Sequence, residues 1–127
     1  MENIGLNFNH KLKDFKAGTF IFLEGDPAAE LYLIKSGTVE LRRKFNTGEL
    51  TLGKYGSGEF LGLVSAIEQW NHTETAEILE DAEVFILEPE DLEQMVINNP
   101  PTGFKIVNHL SNQLRELDIK LDKLSRT

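Results

Sequence analysis

Two carboxylates stand one residue apart in Glu24-Gly25-Asp26, and acid–base catalysis often uses such pairs. A catalytic pair needs a third group to orient it, whereas the residues around this one, Gly25 and Pro27, mark a chain reversal. Glu24 and Asp26 are therefore read as flanking a turn and facing solvent. His10, His72 and His109 are scattered singly, so the His-x-His pattern with a downstream Glu and His that a cupin uses to hold a metal is missing. No metal site is expected. The sequence has no cysteine, which removes disulfides, thiolate ligands and a cysteine nucleophile and fits a reducing compartment. It also lacks a Walker-type phosphate loop, a Gly-x-Ser-x-Gly elbow and a His-Glu-x-x-His helix. The glycines between Gly53 and Gly58 enter a strand end and read as a turn. An enzyme is not expected.

The elements that carry these residues read as one domain. The chain has 127 residues, 40% of them hydrophobic and 27% charged, in the range of an ordinary soluble domain. From Lys11 to about Leu87, short alternating runs separated by Gly, Pro, Asn and Asp predict many short antiparallel strands. Phe20, Phe22, Leu31, Leu33 and Ile34 supply apolar faces, and Val39 with Leu41 points away from Glu40 and Arg42. Asn46-Thr47-Gly48 predicts a hairpin between strands over 39–45 and 50–55, with Gly48 free to take positive φ. Residues 63–69 are helix-compatible, Asn71-His72 breaks that helix, and strands are expected over 75–79 and 83–87. Pro89 suits the first position of a helix reaching about Ile97, which Asn98-Asn99-Pro100-Pro101 ends.

The run from Gly18 to Val39, with its glycine, aliphatic pair, Glu24-Gly25-Asp26 and then Leu31-Tyr32-x-Ile34-x-x-Gly37, closely resembles the opening of a cyclic nucleotide-binding domain. Gly58-Glu59-Phe60-Leu61-Gly62 resembles the start of that family's phosphate-binding cassette, and 83–87 with Pro89 resembles its last strand and following helix. The likeness spans about Lys11 to Leu124 and is nearest to the sensor half of the catabolite activator protein superfamily, without its helix-turn-helix half. The resemblance implies a mainly β fold with flanking α: an antiparallel β-roll (a jelly roll) over 11–88, a short helix over 89–98 and a long dimerisation helix over 102–125. It also implies that Gly18, Gly25 and Gly37 shape turns.

In that family the cassette binds a cyclic phosphodiester with helix N-terminal amides and an Arg, while a carboxylate accepts from the ribose 2′-hydroxyl. Carried over residue by residue, the site would comprise Gly62, Leu63, Val64, Ser65, Glu74, Thr75 and Ala76. Gly62 matches the pattern, but Leu63 stands where the carboxylate belongs and Glu74 where the Arg belongs. A shift of one residue would put Thr73 or Thr75 in the Arg position, and no shift supplies an Arg. An Arg about 4 Å from a phosphate contributes about 4 kcal/mol at an effective dielectric of 20, and a carboxylate there opposes binding by a similar amount. Loss of the ribose acceptor removes about 1.5–3 kcal/mol more. Tight cyclic AMP binding in the usual manner is not expected. What remains is a pocket for some other nucleotide or an uncharged small ligand, or a vestigial or self-filled pocket in a dimeric interaction module. His72 would be a weak anion partner below neutrality or, as preferred here, an exposed turn residue. Trp70 would stack on a base or, preferred again, pack on the nearest apolar surface.

The clearest periodicity is in the last segment, where Val107, Leu114 and Leu121 recur every seven residues and Leu110, Leu117 and Leu124 interleave with them. Three heptads predict a two-stranded coil from about Gly103 to Leu124 and hence a homodimer, with output passed to an unidentified protein partner. Thirteen Lys and Arg against twenty-one Asp and Glu give a net charge of −8, which argues against nucleic acid and anionic membrane as partners. The N-terminus lacks a basic region followed by an apolar run, and nothing approaches the ~18 apolar residues of a membrane span. A cytoplasmic protein is expected.

Overall fold

The computed structural model describes residues 11–62, 65–66, 70–101, 103–104, 107–108, 111–112, 115, 119 and 122. Among the described residues, six strands form one antiparallel sheet: β1 (Leu12–Phe15), β2 (Phe20–Phe22), β3 (Leu31–Phe45), β4 (Gly48–Tyr55), β5 (Phe60–Leu61) and β6 (Thr75–Leu87). The order is β1-β6-β3-β4, with β2 also on β6 and β5 also on β3. The long strands β3 and β6 are the axis, and the sheet rolls around them.

What allows the rolling is Gly37. The pairing of β3 with β6 shifts register between Ile34 and Val39, and Gly37 sits in that stretch with φ +95°. A Cβ there would stand 2.5 Å from the Asp81 carbonyl oxygen and 2.6 Å from Ala82, so only glycine lets the two backbones approach this closely. The expectation of a turn at Gly37 is thus corrected: it is a bulge inside a strand. Gly18 and Gly25 do sit in turns, with positive φ. The strands expected over 75–79 and 83–87 are one strand, because Glu80 and Glu83 pair with Thr38 and Ser36 across the bulge instead of breaking the ladder. The hairpin forms as expected, with Gly48 at φ +130° directly opposite Phe45.

Two apolar clusters result. Tyr32, Ile34, Val39, Leu41, Leu52, Ala76, Ile78 and Val84 fill the inside of the roll. Leu31 and Leu33 alternate with Tyr32 and Ile34, so they face the other way and meet Phe60, Ala66, Leu87 and Met95. The second cluster is closed by α1 (Pro89–Asn98), which contributes Met95 and Leu92. Pro89 lies in its first turn, and the Asp91 carboxylate accepts the Glu88 N–H at 2.8 Å. Lys11 reaches the same carboxylate at 2.6 Å and ties the start of β1 to this helix.

Beyond α1, the described positions between 100 and 122 have helical backbone, and Phe104, Val107 and Ile119 are exposed. Of the expected seam, Leu110, Leu114, Leu117, Leu121 and Leu124 lie outside the described residues. No helix among the described residues is long and apolar enough to cross a membrane.

Candidate functional site

The cassette begins where β5 ends. Gly62 takes φ +74°, and a Cβ on it would lie 3.2 Å from His72 Cε1 and 3.4 Å from Tyr32 Cδ2. A glycine is needed both for the turn and for the close fit. The Ala66 N–H donates to the Gly62 carbonyl at 3.0 Å, and Ser65 and Ala66 are helical and buried. Of the helix expected over 63–69, the described Ser65 and Ala66 are helical. Leu63 and Val64 lie outside the described residues, so of the expected helix-side contacts the structure describes Gly62 and Ser65.

The far wall is the start of β6 and the loop before it. Ala76 is fully buried between Phe22 of β2 and Leu41 of β3. The Thr75 hydroxyl oxygen accepts the Glu24 N–H at 2.9 Å, and the Glu24 carboxylate accepts the Lys44 N–H at 3.0 Å. Glu24 is thus half-buried and clamps the turn after β2 to the ends of β3 and β6, instead of facing solvent as expected. Asp26 is exposed, with its carboxylate accepting the Leu23 N–H at 3.1 Å. Glu74 is half-buried, and burial holds its carboxyl above the usual carboxylate range. A hydrogen bond from Thr73 and the Arg43 charge pull the other way, while the Glu24 charge adds to the upward push. Glu74, which the resemblance sets at the cassette's cation position, is thus an acid in a partly desolvated setting.

His72 is not an exposed turn residue. Its N–H donates to the Asp26 carbonyl and its own carbonyl accepts from Gly25, both at 2.8 Å, which draws the loop against the turn after β2. The ring is 3% exposed and lies parallel to Phe22, with centroids 3.8 Å apart. Nδ1 is buried with no hydrogen-bond partner. Burial lowers its pKa below the ordinary histidine value, against a smaller upward pull from Asp26, so the neutral ring is favoured. The reading of His72 as an anion partner below neutrality loses its basis too. Trp70 also departs from expectation: it is 56% exposed, because its backbone is fixed on both sides, N–H to the Ser65 carbonyl and carbonyl to the Ala28 N–H, with the ring left outside.

Sequence reasoning missed two features. One is the buried His72, whose polar neighbours Asn71 and Thr73 gave no apolar signal. The other is Arg42 on the outer face, held by Glu77 at 2.7 Å, Glu49 at 3.7 Å and Glu40 at 3.8 Å. The alternation of Glu40 and Arg42 hinted at this pairing. Among the described residues, no group of three or more His, Asp or Glu is arranged to hold a metal ion.

A sequence model of the cyclic nucleotide-binding domain matches residues 12–99, which takes in the roll, the cassette and α1. The chain belongs to the cyclic nucleotide-binding domain family. It is 35% identical over 112 residues to the cyclic AMP receptor protein of Thermus thermophilus, covering 87% of this chain and 52% of that one. It is 33% identical over 108 residues to the anaerobic regulatory protein of Bacillus subtilis, covering 84% and 45%. The crystal structure of the Thermus thermophilus catabolite activator protein superposes with a TM-score of 0.72 at 34% identity, over 90% of this chain and 54% of that one. A c-di-GMP responsive global regulator of Xanthomonas campestris superposes at 0.76 with 28% identity, over 91% and 57%. The chain spans about half the length of the curated relatives it matches. Since relatives include proteins named transcriptional regulators, the expectation that nucleic acid is no partner loses support; the charge argument concerns these 127 residues only.

Proposed function

We propose that this cyclic nucleotide-binding domain is a regulatory sensor module that binds a small ligand in an altered cassette and passes the change through a dimer helix. The observation that supports the reading is Glu74, a half-buried carboxylate at the position that the resemblance gives to the phosphate-binding cation, across from a Gly62 whose positive φ and close fit suit the cassette's turn. Usual-mode cyclic AMP binding is therefore weak, and Gly62, Leu63, Val64, Ser65, Glu74, Thr75 and Ala76 line a site for a different ligand. The module acts in the cytoplasm, is not itself an enzyme, and signals through a protein partner. Thermal unfolding with a panel of cyclic and linear nucleotides tests this: a ligand of the native state raises the melting temperature, by an amount that grows with its concentration. No shift with any compound would count against sensing.

The Val107–Leu124 heptads supply the dimer. Light scattering should give twice the chain mass, and Leu117→Lys, which puts a charge in the seam, should give a monomer or an unfolded chain. A wild-type monomer at micromolar concentration would exclude the coiled coil.

A second reading is favoured by His72. Its ring lies buried against Gly62, as a self-filled pocket would require, and in that case the protein is a dimeric interaction module without a ligand.

A further inference from the structure

The loop that leads into β6 is held by a short backbone ladder and by one ring. Residues 70–72 run antiparallel to 25–28: the Ala28 N–H donates to the Trp70 carbonyl at 3.2 Å, Pro27 pairs with Asn71, and His72 exchanges two bonds with Gly25 and Asp26. The Trp70 N–H donates to the Ser65 carbonyl at 2.9 Å, which joins this ladder to the cassette helix. Over 70–74, Trp70 and Asn71 are exposed, Thr73 and Glu74 are half-buried, and only the His72 side chain is buried. Its ring is the plug that fixes the ladder to the roll.

The slot suits a neutral imidazole. Phe22 lies parallel to it at 3.8 Å, the Tyr32 ring centre is 6.3 Å away, and Gly62 comes so close that a Cβ on it would stand 3.2 Å from Cε1. Among the described residues, Nδ1 is buried with no hydrogen-bond partner. Protonation makes both ring nitrogens donors, so it places a charge and an N–H where no acceptor waits. The face of Phe22 attracts a cation but is no directed acceptor.

The ionisable groups around the ring do not offset that cost. β2 contributes Phe22, which does not ionise, and β3 contributes Tyr32, whose phenol burial pushes up to about 12 and keeps neutral. In the turn after β2, the Glu24 carboxylate is taken by the Lys44 N–H, and the exposed Asp26 carboxylate by the Leu23 N–H. Glu30 is exposed, and Glu74 is half-buried in the loop itself. Burial outweighs the Asp26 charge and lowers the His72 pKa.

We propose that His72 is a proton-operated clasp: a proton taken from solvent expels the imidazole from between Phe22 and Gly62, and the ladder of 70–72 on 25–28 opens while the roll stays folded. Opening frees the segment between the cassette helix and β6 and uncovers the rings of Phe22 and Tyr32. The clasp works whether or not the cassette takes a ligand. Because the folded pKa lies below the ordinary value near 6.5, the clasp is fully closed above about pH 6.5 and loosens as pH falls through the folded value.

Amide hydrogen exchange on the full chain, corrected for the intrinsic rate at each pH, tests this between pH 7 and pH 5. The N–H groups of Gly25, Ala28 and His72 should lose protection by about tenfold in acid, the effect of one unit of difference between the closed and open pKa values. The N–H of Ile78, which donates to the Thr19 carbonyl at 2.8 Å inside the roll, should keep its protection. His72→Phe keeps a ring in the slot and should abolish the acid response at position 25 and at position 28. Unchanged protection of the ladder in wild type, an equal loss at Ile78, or the same loss in His72→Phe would each overturn the clasp. Wild type alone supplies a second reading that needs no variant: the His72 ring resonance should titrate below pH 6.5, with the same midpoint as the loss of ladder protection. A midpoint at or above 6.5 would also overturn it.

Discussion

The interior of the roll and the cassette beside it share β6 but answer to different constraints. Along β6, Ala76, Ile78, Val84 and Leu87 are completely buried, and their partners on β3 leave no space for change. At the near end, Glu74 and Thr75 are only half-buried and border the proposed site, and burial raises the Glu74 carboxyl. The architecture still superposes on relatives with TM-scores of 0.72 and 0.76. The contrast teaches that packing determines the shape of the pocket while a few polar side chains determine what can enter it, and that the second set can change without the first.

The largest effect should come from breaking the roll. Gly37→Val drives a branched side chain into the Asp81 carbonyl and Ala82 at a positive φ, and should cost about 3 kcal/mol or more, read from urea unfolding. A cost within ~0.5 kcal/mol, the usual range of a surface substitution, would mean that the bulge is not what brings β3 and β6 together.

A smaller effect belongs to the loop that joins the two regions. Because the folded pKa of His72 lies below its unfolded value near 6.5, the neutral ring contributes stability that is fully present above about pH 6.5. That contribution falls as acid is added through the folded pKa. His72→Phe keeps a ring against Phe22 and removes the titration, so the urea midpoint of wild type should drop relative to the variant between pH 7 and pH 5. Parallel midpoints would show that His72 does not couple protonation to the cassette. Comparing the two proteins cancels His10 and His109, which both retain.

The smallest change in folding, and the sharpest in binding, should come from the anchors. Leu63→Glu with Glu74→Arg restores the ribose acceptor and the phosphate cation on a retained scaffold. Each step alone should help modestly, and the pair should show coupling, since both grip one rigid ligand. A double variant that melts like wild type yet shows no saturable nucleotide binding at millimolar ligand would mean that the pocket is closed.

The legibility of the sequence divides along the same line. The hairpin at Gly48, the alternation of Val39 and Leu41 with Glu40 and Arg42, and the helix begun by Pro89 follow from local rules of turn chemistry and periodicity. Gly37 differs from the expected turn because a glycine in a bulge and a glycine in a turn have the same local signature; the difference lies in Asp81 and Ala82, more than forty residues away. The burial of His72 has no local signature for a related reason: it depends on Phe22 and Gly62, and nothing adjacent to His72 is apolar. At the proposed site, Leu63 and Glu74 can be set against the family pattern residue by residue, whereas the pairing that brings Arg42 beside Thr75 depends on strand register, which a single sequence does not specify.

The central claim is the proposal that side-chain changes at the cassette positions have removed the affinity for cyclic AMP. Titration of wild-type protein with cyclic AMP in a calorimeter tests this most directly. The account predicts no saturable heat with ligand up to about 1 mM, since loss of two charge-assisted anchors removes several powers of ten in affinity. A sub-micromolar dissociation constant for the unmodified protein would contradict it.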